Sequence, residues 1–81
     1  MPLTENTEHK VIAVSDLGEN VRQARKLQGL SQSDLAALSG VGIRFISELE
    51  NGKESIHLGK SLIVLKALGL TLSLSKRDWR I

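Results

Sequence analysis

The chain has 81 residues and no cysteine, and its 11 lysines and arginines against 9 aspartates and glutamates leave a net charge of +2. This length allows one small domain that is not comfortably stable alone, so an oligomer is expected, and the lack of cysteine excludes disulfides and thiolate metal sites. No apolar run approaches the roughly 20 residues of a membrane span, and so small a net charge does not by itself indicate nucleic acid.

The N-terminal residues 1–10 are polar and show no periodicity, which predicts a flexible tail. They lack the basic and then apolar order of a signal peptide, so we expect a cytoplasmic protein. Residues 11–14, Val-Ile-Ala-Val, favour β-structure but also suit an apolar lead-in to the following helix. So short a run does not decide between the two.

The first helix is predicted to begin at Leu17, because Asp16 is a suitable N-cap and Glu19 stands three residues later. Its core-facing stripe follows the 3.6-residue period and consists of Leu17, Val21, Ala24 and Leu27. Gly29 is expected to end it, since glycine readily adopts the left-handed backbone of a helix cap.

Two further helices are predicted with only three residues between them. Ser31 and Asp34 repeat the capping signature and start the second helix, whose inward residues are expected to be Leu35, Ala36 and Leu38. Residues 40–42, Gly-Val-Gly, lead into a third helix over residues 43–50, whose inward residues are Ile46 and Leu49. So short a turn makes the helices cross steeply, which predicts a helix-turn-helix that enters DNA.

The outward face of the third helix carries the side chains expected to read bases. Arg44 can donate to O6 and N7 of guanine, and Glu48 can accept from N4 of cytosine. Ser47 suits several base edges, and Ile43 can pack on a thymine methyl group. The expected base contacts are Ile43, Arg44, Ser47 and Glu48.

Phosphate contacts are expected at the ends of these two helices. Backbone N–H groups and the helix dipole attract phosphate at the start of the second helix, where Ser31 and Gln32 lie. Lys53 follows the Asn51-Gly52 stop signal after the third helix. The expected phosphate contacts are Ser31, Gln32, Asn51 and Lys53, although Ser31 serves as a cap whether or not DNA is bound.

The C-terminal part of the chain is expected to form a dimer. Residues 58–68 predict a helix that is apolar on most sides, so one side is left for a second subunit. Residues 70–75 alternate leucine with hydroxyl side chains, which predicts a strand, and its partner is either residues 11–14 or the same strand of a second copy. The expected dimer interface consists of Leu65, Leu68, Leu70, Leu72 and Leu74.

The C-terminal tail, residues 76–81, holds the only tryptophan. Trp79 either packs onto its own domain or anchors a partner. His9 and His57 have no carboxylate or second histidine at ligand spacing, and no glycine-rich phosphate loop is present. We therefore expect no metal, no cofactor and no catalytic site.

Several motifs together resemble the helix-turn-helix family of the Xre and lambda-type repressors, and within it the HipB-like antitoxins. The resemblance covers roughly residues 17–74. The motifs are Ser-Gln-x-x-Leu-Ala at residues 31–36, Ser-Gly-Val at 39–41, Ile-Ser-x-Leu-Glu-Asn-Gly-Lys at 46–53, and Leu-x-x-x-Leu-x-x-Leu-x-x-Leu-Gly-Leu-x-Leu at 58–72.

The resemblance implies a homodimer that binds a palindromic operator, with Gln32 on a phosphate. It also implies an internal ion pair between Arg25 and Glu50, a strand after the fourth helix that pairs with its copy in the dimer, and a HipA-like kinase toxin as partner. The chain departs from the family at Gly42, where a capping serine or threonine is common, and at Ile43 and Glu48, where polar or basic readers are common.

The fold class expected is all-α, a lambda-repressor-like bundle of four main helices with a short C-terminal strand that pairs across a homodimer, and the domain spans residues 11–75. The expected function is transcriptional repression by a HipB-like antitoxin. One alternative is a regulator of a phage or restriction-modification system without a toxin. Another is a protein-protein antitoxin module with residual DNA binding, which Ile43 and Glu48 permit.

Overall fold

The structure is a computed structural model that describes residues 10–76 and contains four helices in that range. They are α1, Val14–Leu27; α2, Gln32–Ser39; α3, Ile43–Glu50; and α4, Leu58–Ala67. The expected all-α class is confirmed, and α2 and α3 occupy the positions predicted from the capping residues of α2 and from the glycines on either side of α3. Trp79 lies outside the described residues.

Helix α1 begins three residues before the predicted start, so the assignment of Asp16 as its N-cap is wrong. Asp16 instead lies inside the first turn, where Oδ2 accepts hydrogen bonds of 2.9 Å from the backbone N–H groups of Ile12 and Ala13. These bonds lower the pKa of the Asp16 carboxyl. Residues 10–13 have no strand structure in the single chain, and Val14 is already helical.

The core lies where α1, α2, α3 and α4 meet, and it consists of Leu17, Val21, Leu35, Ala36, Ile46, Leu49, Val64, Leu65 and Leu68. Two of the predicted inward residues are instead exposed, Leu27 by 88% and Leu38 by 63%, whereas Ala24 is partly buried against the core. The buried face of α1 is centred on Gly18, Val21 and Arg25, and Leu27 lies round the helix from that face.

The close approach of α1 to the end of α3 depends on two glycines. A Cβ atom on Gly18 would overlap the carbonyl oxygen of Leu49 and lie 2.9 Å from that of Glu50. A Cβ atom on Gly52, whose φ is +75°, would lie 2.8 Å from Cα of Ser15. The backbones of α1 and α3 therefore meet without side chains between them, and this fixes how α3 is presented.

Helix α4 requires a correction to the predicted dimer interface. Leu65 and Leu68 are only 4% and 5% exposed, because they face the core of their own chain. The outward apolar residues of α4 are Leu58, Leu62 and Ile63. Gln28 ties the end of α4 to α1 through a 2.8 Å hydrogen bond from Nε2 to the carbonyl oxygen of Leu68.

The segment after α4, residues 70–76, has no regular secondary structure in the single chain. Leu70 packs partly against the core, whereas Leu72 is 39% and Leu74 is 99% exposed. Pairing of this segment with a second copy stays a prediction. None of the described helices combines the length and the apolar character that crossing a membrane would require.

Candidate nucleic-acid interface

The turn between α2 and α3 positions the candidate DNA-binding surface. Gly40 ends α2 in the left-handed conformation, with φ of 72°, and the N–H of Val41 returns to the carbonyl oxygen of Ala36 at 3.1 Å. Gly42 is the N-cap of α3 and supplies no side-chain cap. The left-handed glycine reverses the chain within three residues, so α3 starts directly beside the end of α2.

Helix α3 is divided into an inward and an outward face, as its periodicity predicted. Ile46 and Leu49 are fully buried, whereas Ile43 is 52% exposed. The Arg44 side chain is 89% exposed, so it extends from the first turn of the helix into solvent. Ser47 and Glu48 are half-buried and lie one turn later on the outward side. The four predicted base contacts thus share one accessible face.

A cluster of three charged side chains lies on this face, and we call it the Glu48 cluster. It consists of Arg44, Glu48 and Lys53. Oε2 of Glu48 lies 3.3 Å from Nε of Arg44 and also 3.3 Å from Nζ of Lys53. The Glu48 carboxylate thus joins Arg44, a predicted base contact, to Lys53, a predicted phosphate contact. The periodicity of α3 did not indicate the contact with Lys53, because Lys53 lies beyond the end of that helix.

The start of α2 holds the two other predicted phosphate contacts in defined positions. Oγ of Ser31 accepts from the N–H of Asp34, and the N–H of Ser31 donates back to Oδ2 of Asp34, both at 2.9 Å. The hydrogen bond from the N–H of Ser31 lowers the pKa of the Asp34 carboxyl. Nε2 of Gln32 donates to Oε1 of Glu50 at 3.0 Å. An amide nitrogen carries two hydrogens, so Gln32 keeps one donor for a phosphate.

A buried ion pair between Arg25 and Glu50 lies beneath the candidate DNA-binding surface and connects α1 to α3. Nε of Arg25 lies 2.6 Å from Oε2 of Glu50, and Nη2 lies 3.0 Å from Oε1. Nη1 of Arg25 also donates to the carbonyl oxygen of Leu30 at 2.8 Å. The pair joins α1 to the last residue of α3, and its extension through Gln32 includes the start of α2.

The charge states of this network follow from its geometry. Burial by itself would raise the pKa of Glu50, but the hydrogen bonds from Arg25 and Gln32, with the positive charge of Arg25, hold it below its usual range. The same hydrogen bond from Arg25 to Glu50 raises the pKa of the guanidinium. Both groups are ionised at neutral pH, so the link between α1 and α3 is a charged one.

Asn51, the remaining predicted phosphate contact, is exposed just after α3. Its Nδ2 lies 3.5 Å from Oγ of Ser47, at the outer limit of a hydrogen bond. The amide therefore remains accessible beside the Glu48 cluster. The described contacts place Ser47, Asn51 and Lys53 along the exposed side of α3, whereas Gln32 belongs to the network of Glu50.

The comparison with known protein families agrees with this geometry. A family model described as helix-turn-helix matches residues 21–74, which include α2, the turn and α3. The chain belongs to this helix-turn-helix family. It is a DNA-binding transcription regulator of the Xre type, as the motifs at residues 31–36 and 46–53 predicted.

Two relatives of this helix-turn-helix protein are regulators by name. It is 47% identical over 60 residues to an uncharacterised HTH-type transcriptional regulator, y4mF, of Sinorhizobium fredii, covering 74% of this chain and 79% of the relative. It is 36% identical over 56 residues to the control protein C.SmaI of Serratia marcescens, covering 69% of this chain and 67% of the relative.

Solved structures similar to this helix-turn-helix protein include HipB in a complex with an O4 20mer and HipB in a HipA-HipB-O2-O3 complex. In each case the TM-score is 0.79 at 25% identity, and the match covers 88% of this chain and 100% of the HipB chain. The likeness to HipB thus extends over most of the chain and not only over α2 and α3.

Proposed function

We propose that this helix-turn-helix regulator is a HipB-like antitoxin that represses its own operon by binding a two-fold symmetric operator as a homodimer. Residues 11–75 form the DNA-binding and dimerisation domain of a cytoplasmic protein. The observation that carries the proposal is the outward face of α3, where an arginine that is 89% exposed projects from the first turn of a helix anchored by buried Ile46 and Leu49. A major groove accepts such a helix.

The roles of the side chains follow from their positions. Ile43, Arg44 and Ser47 lie on the exposed side of α3 and contact base edges, and Glu48, the fourth predicted base contact, lies among them in contact with Arg44. The phosphate contacts are Ser31, Gln32, Asn51 and Lys53. In a dimer, the two copies of α3 lie about 34 Å apart, one turn of DNA.

The operator-binding proposal is tested by replacing Arg44 with alanine. We expect the variant to lose about 1 to 3 kcal/mol in binding to the DNA upstream of its own gene and to accept any base at one position of each half-site, because a bidentate contact to guanine is lost. Fluorescence anisotropy on a panel of single-base variants measures both effects. Wild-type binding should weaken steeply as salt rises. Unchanged affinity and base preference in the Arg44→Ala variant would show that Arg44 does not contact a base.

The dimer is proposed to form through the outward residues of α4 together with the leucines of the following segment. These are Leu58, Leu62, Ile63, Leu70, Leu72 and Leu74. All of these except Leu70, which packs partly against the core of its own chain, are exposed in the single chain, and this exposure supports the proposal. Since α4 and residues 70–75 are continuous in the chain, one second copy covers both.

Replacing Leu72 with aspartate is expected to convert the dimer into a monomer, because the charge would be buried when the two segments pair. Sedimentation equilibrium measures the change. Thr71→Asp is the matched control, since neighbouring residues of a strand point to opposite faces. A Leu72→Asp protein that sediments as a dimer would contradict the proposed pairing.

The partner is proposed to be a HipA-like Ser/Thr kinase toxin, with Trp79 as a candidate contact. The likeness to the HipB chain of the HipA-HipB-O2-O3 complex supports this assignment. The similarity to the control protein C.SmaI favours a second candidate, a regulator of a restriction-modification system. The product of the neighbouring gene separates them, since co-purification with a kinase supports the antitoxin, and a neighbouring endonuclease or methyltransferase supports the control protein.

A further inference from the structure

The Glu48 cluster places a carboxylate on the very face of α3 that approaches DNA, although DNA repels negative charge. The Glu48 side chain is 29% exposed, and its two cationic neighbours, Arg44 and Lys53, are 89% and 49% exposed. Both neighbours contact the same oxygen, Oε2. Glu48 is therefore placed to act on two cations at once.

The atom of Arg44 that Glu48 holds is Nε, which leaves the terminal Nη1 and Nη2 groups without a partner among residues 10–76. A guanidinium is planar and rigid, so fixing its inner nitrogen restricts where the outer fork can point. The outer fork is the part that can donate to O6 and N7 of guanine in parallel. The contact with Glu48 thus restrains Arg44 without occupying its base-reading atoms.

We propose that Glu48 is a positioning residue for sequence discrimination: it orients Arg44 for guanine while lowering the attraction of Arg44 and Lys53 for phosphate in general. The inference rests on the proposed operator binding and deepens it. A free arginine side chain loses considerable rotamer freedom when it contacts a base, and a pre-existing partner reduces that loss. Phosphate attraction, in contrast, acts on every DNA sequence alike.

The fold does not depend on this cluster. An exposed ion pair between residues four apart on a helix contributes little to stability. Glu48 can therefore be changed without unfolding the domain, and an effect on DNA recognition can be separated from an effect on folding. Thermal unfolding followed by circular dichroism should give the same midpoint for Glu48→Gln as for the wild type within a few degrees.

The experiment compares wild type, Glu48→Gln, Arg44→Ala and the double variant. Glu54→Gln is the matched control, because Glu54 is an exposed acid close to Lys53 in sequence that forms no ion pair with any residue of the described part of the chain. The probes are the duplex that the wild type enriches from a randomised pool, the same duplex with the Arg44-dependent guanine replaced, and poly(dI-dC). Dissociation constants are measured over a salt series.

We expect Glu48→Gln to lower the preference for that guanine by about fivefold, because a neutral amide oxygen holds Arg44 less strongly than a carboxylate does and the bidentate contact is then less well oriented. Its affinity for poly(dI-dC) should rise, and the salt slope should steepen by about one, because a freed cation becomes available to phosphate. Glu54→Gln should retain the preference for guanine. In the Arg44→Ala background, Glu48→Gln should cause no further loss of discrimination.

The inference is overturned if Glu48→Gln keeps the wild-type preference. It is also overturned if the preference falls equally with and without Arg44, because Glu48 would then read a base itself through its free Oε1. Failure of the wild type to enrich any duplex would instead refute the proposed operator binding, and this inference with it.

Discussion

Replacement of Glu50 by alanine is expected to cost about 3 to 5 kcal/mol of folding free energy, since removing one partner of a buried ion pair leaves the other charge unpaired. The Glu50 side chain is 2% and that of Arg25 is 10% exposed, so water cannot substitute for the missing carboxylate. A small domain has only about 5 to 15 kcal/mol in total. Urea unfolding should show most of this stability lost.

The damage should extend beyond α1 and α3. Oε1 of Glu50 also accepts from Gln32, so the first residue of α2 loses its link to the core. Glu48→Ala is the matched control, since it removes a carboxylate from the same helix but from an exposed pair, and it should cost less than about 1 kcal/mol. Equal losses in the two variants would mean that the buried pair has no special role.

Acidification should remove the same contribution from the wild type. Because the pKa of Glu50 is lower in the folded chain than its ordinary value of 4.5, the stabilisation is complete above that value and is lost as the pH falls through the folded-state pKa. The difference in unfolding free energy between the wild type and Glu50→Gln should therefore decrease as the pH is lowered below 4.5. Taking this difference cancels the shared contributions of Asp16 and Asp34, whose pKa values are also lowered. A constant difference would contradict the charged link.

Gly18→Ala is the second substitution with a large expected effect. Alanine is the better helix former by about 1 kcal/mol, so propensity alone predicts stabilisation. The added methyl group would, however, overlap the carbonyl oxygen of Leu49. This oxygen belongs to the backbone, which cannot rotate out of the way as a flexible side chain can. We expect a net loss of about 2 kcal/mol, typical of overpacking, and a melting temperature lower by about 8 to 16 °C.

Gly59 provides the control for this experiment, since it is also helical and its new Cβ atom would meet only the imidazole of His57, with Cε1 at 3.1 Å and Nδ1 at 3.4 Å. Gly59→Ala should cost much less than Gly18→Ala, because a side chain can shift where backbone cannot, and the most it can weaken is the hydrogen bond that Nδ1 of His57 accepts from the N–H of Lys60. Gly18→Ala should also weaken DNA binding, as α1 and α3 must separate and α3 changes its presentation. A Gly18→Ala protein as stable as Gly59→Ala would show that the close approach is not needed.

The sequence alone determined the helix-turn-helix itself. Ser31 and Asp34 form a capping box that marks the start of α2. Gly40 and Gly42 mark the end of α2 and the start of α3, so both helices could be placed from local patterns. Fully buried Ile46 and Leu49 could be separated from the exposed Arg44 in the same way, because a period of 3.6 residues specifies the faces of so short a helix.

Only the tertiary structure decided which of the remaining leucines are buried. Leu27 and Leu38 fit an apolar period but are exposed, whereas Leu65 and Leu68, expected between subunits, fill the core of their own chain. A periodic pattern of apolar residues shows that a helix has a buried side. The positions of the neighbouring helices, however, determine how wide that side is and on which residues it is centred.

The same limit applies to the candidate site. Gln32 and Glu50 are 18 residues apart in the chain, and no local pattern indicates that their side chains meet, just as none joins Lys53 to Glu48. Local periodicity identified the side chains on the outward face of α3, which are the predicted base contacts. The folded chain decided which of them are held in place, because ion pairs and hydrogen bonds form between residues that only packing brings together.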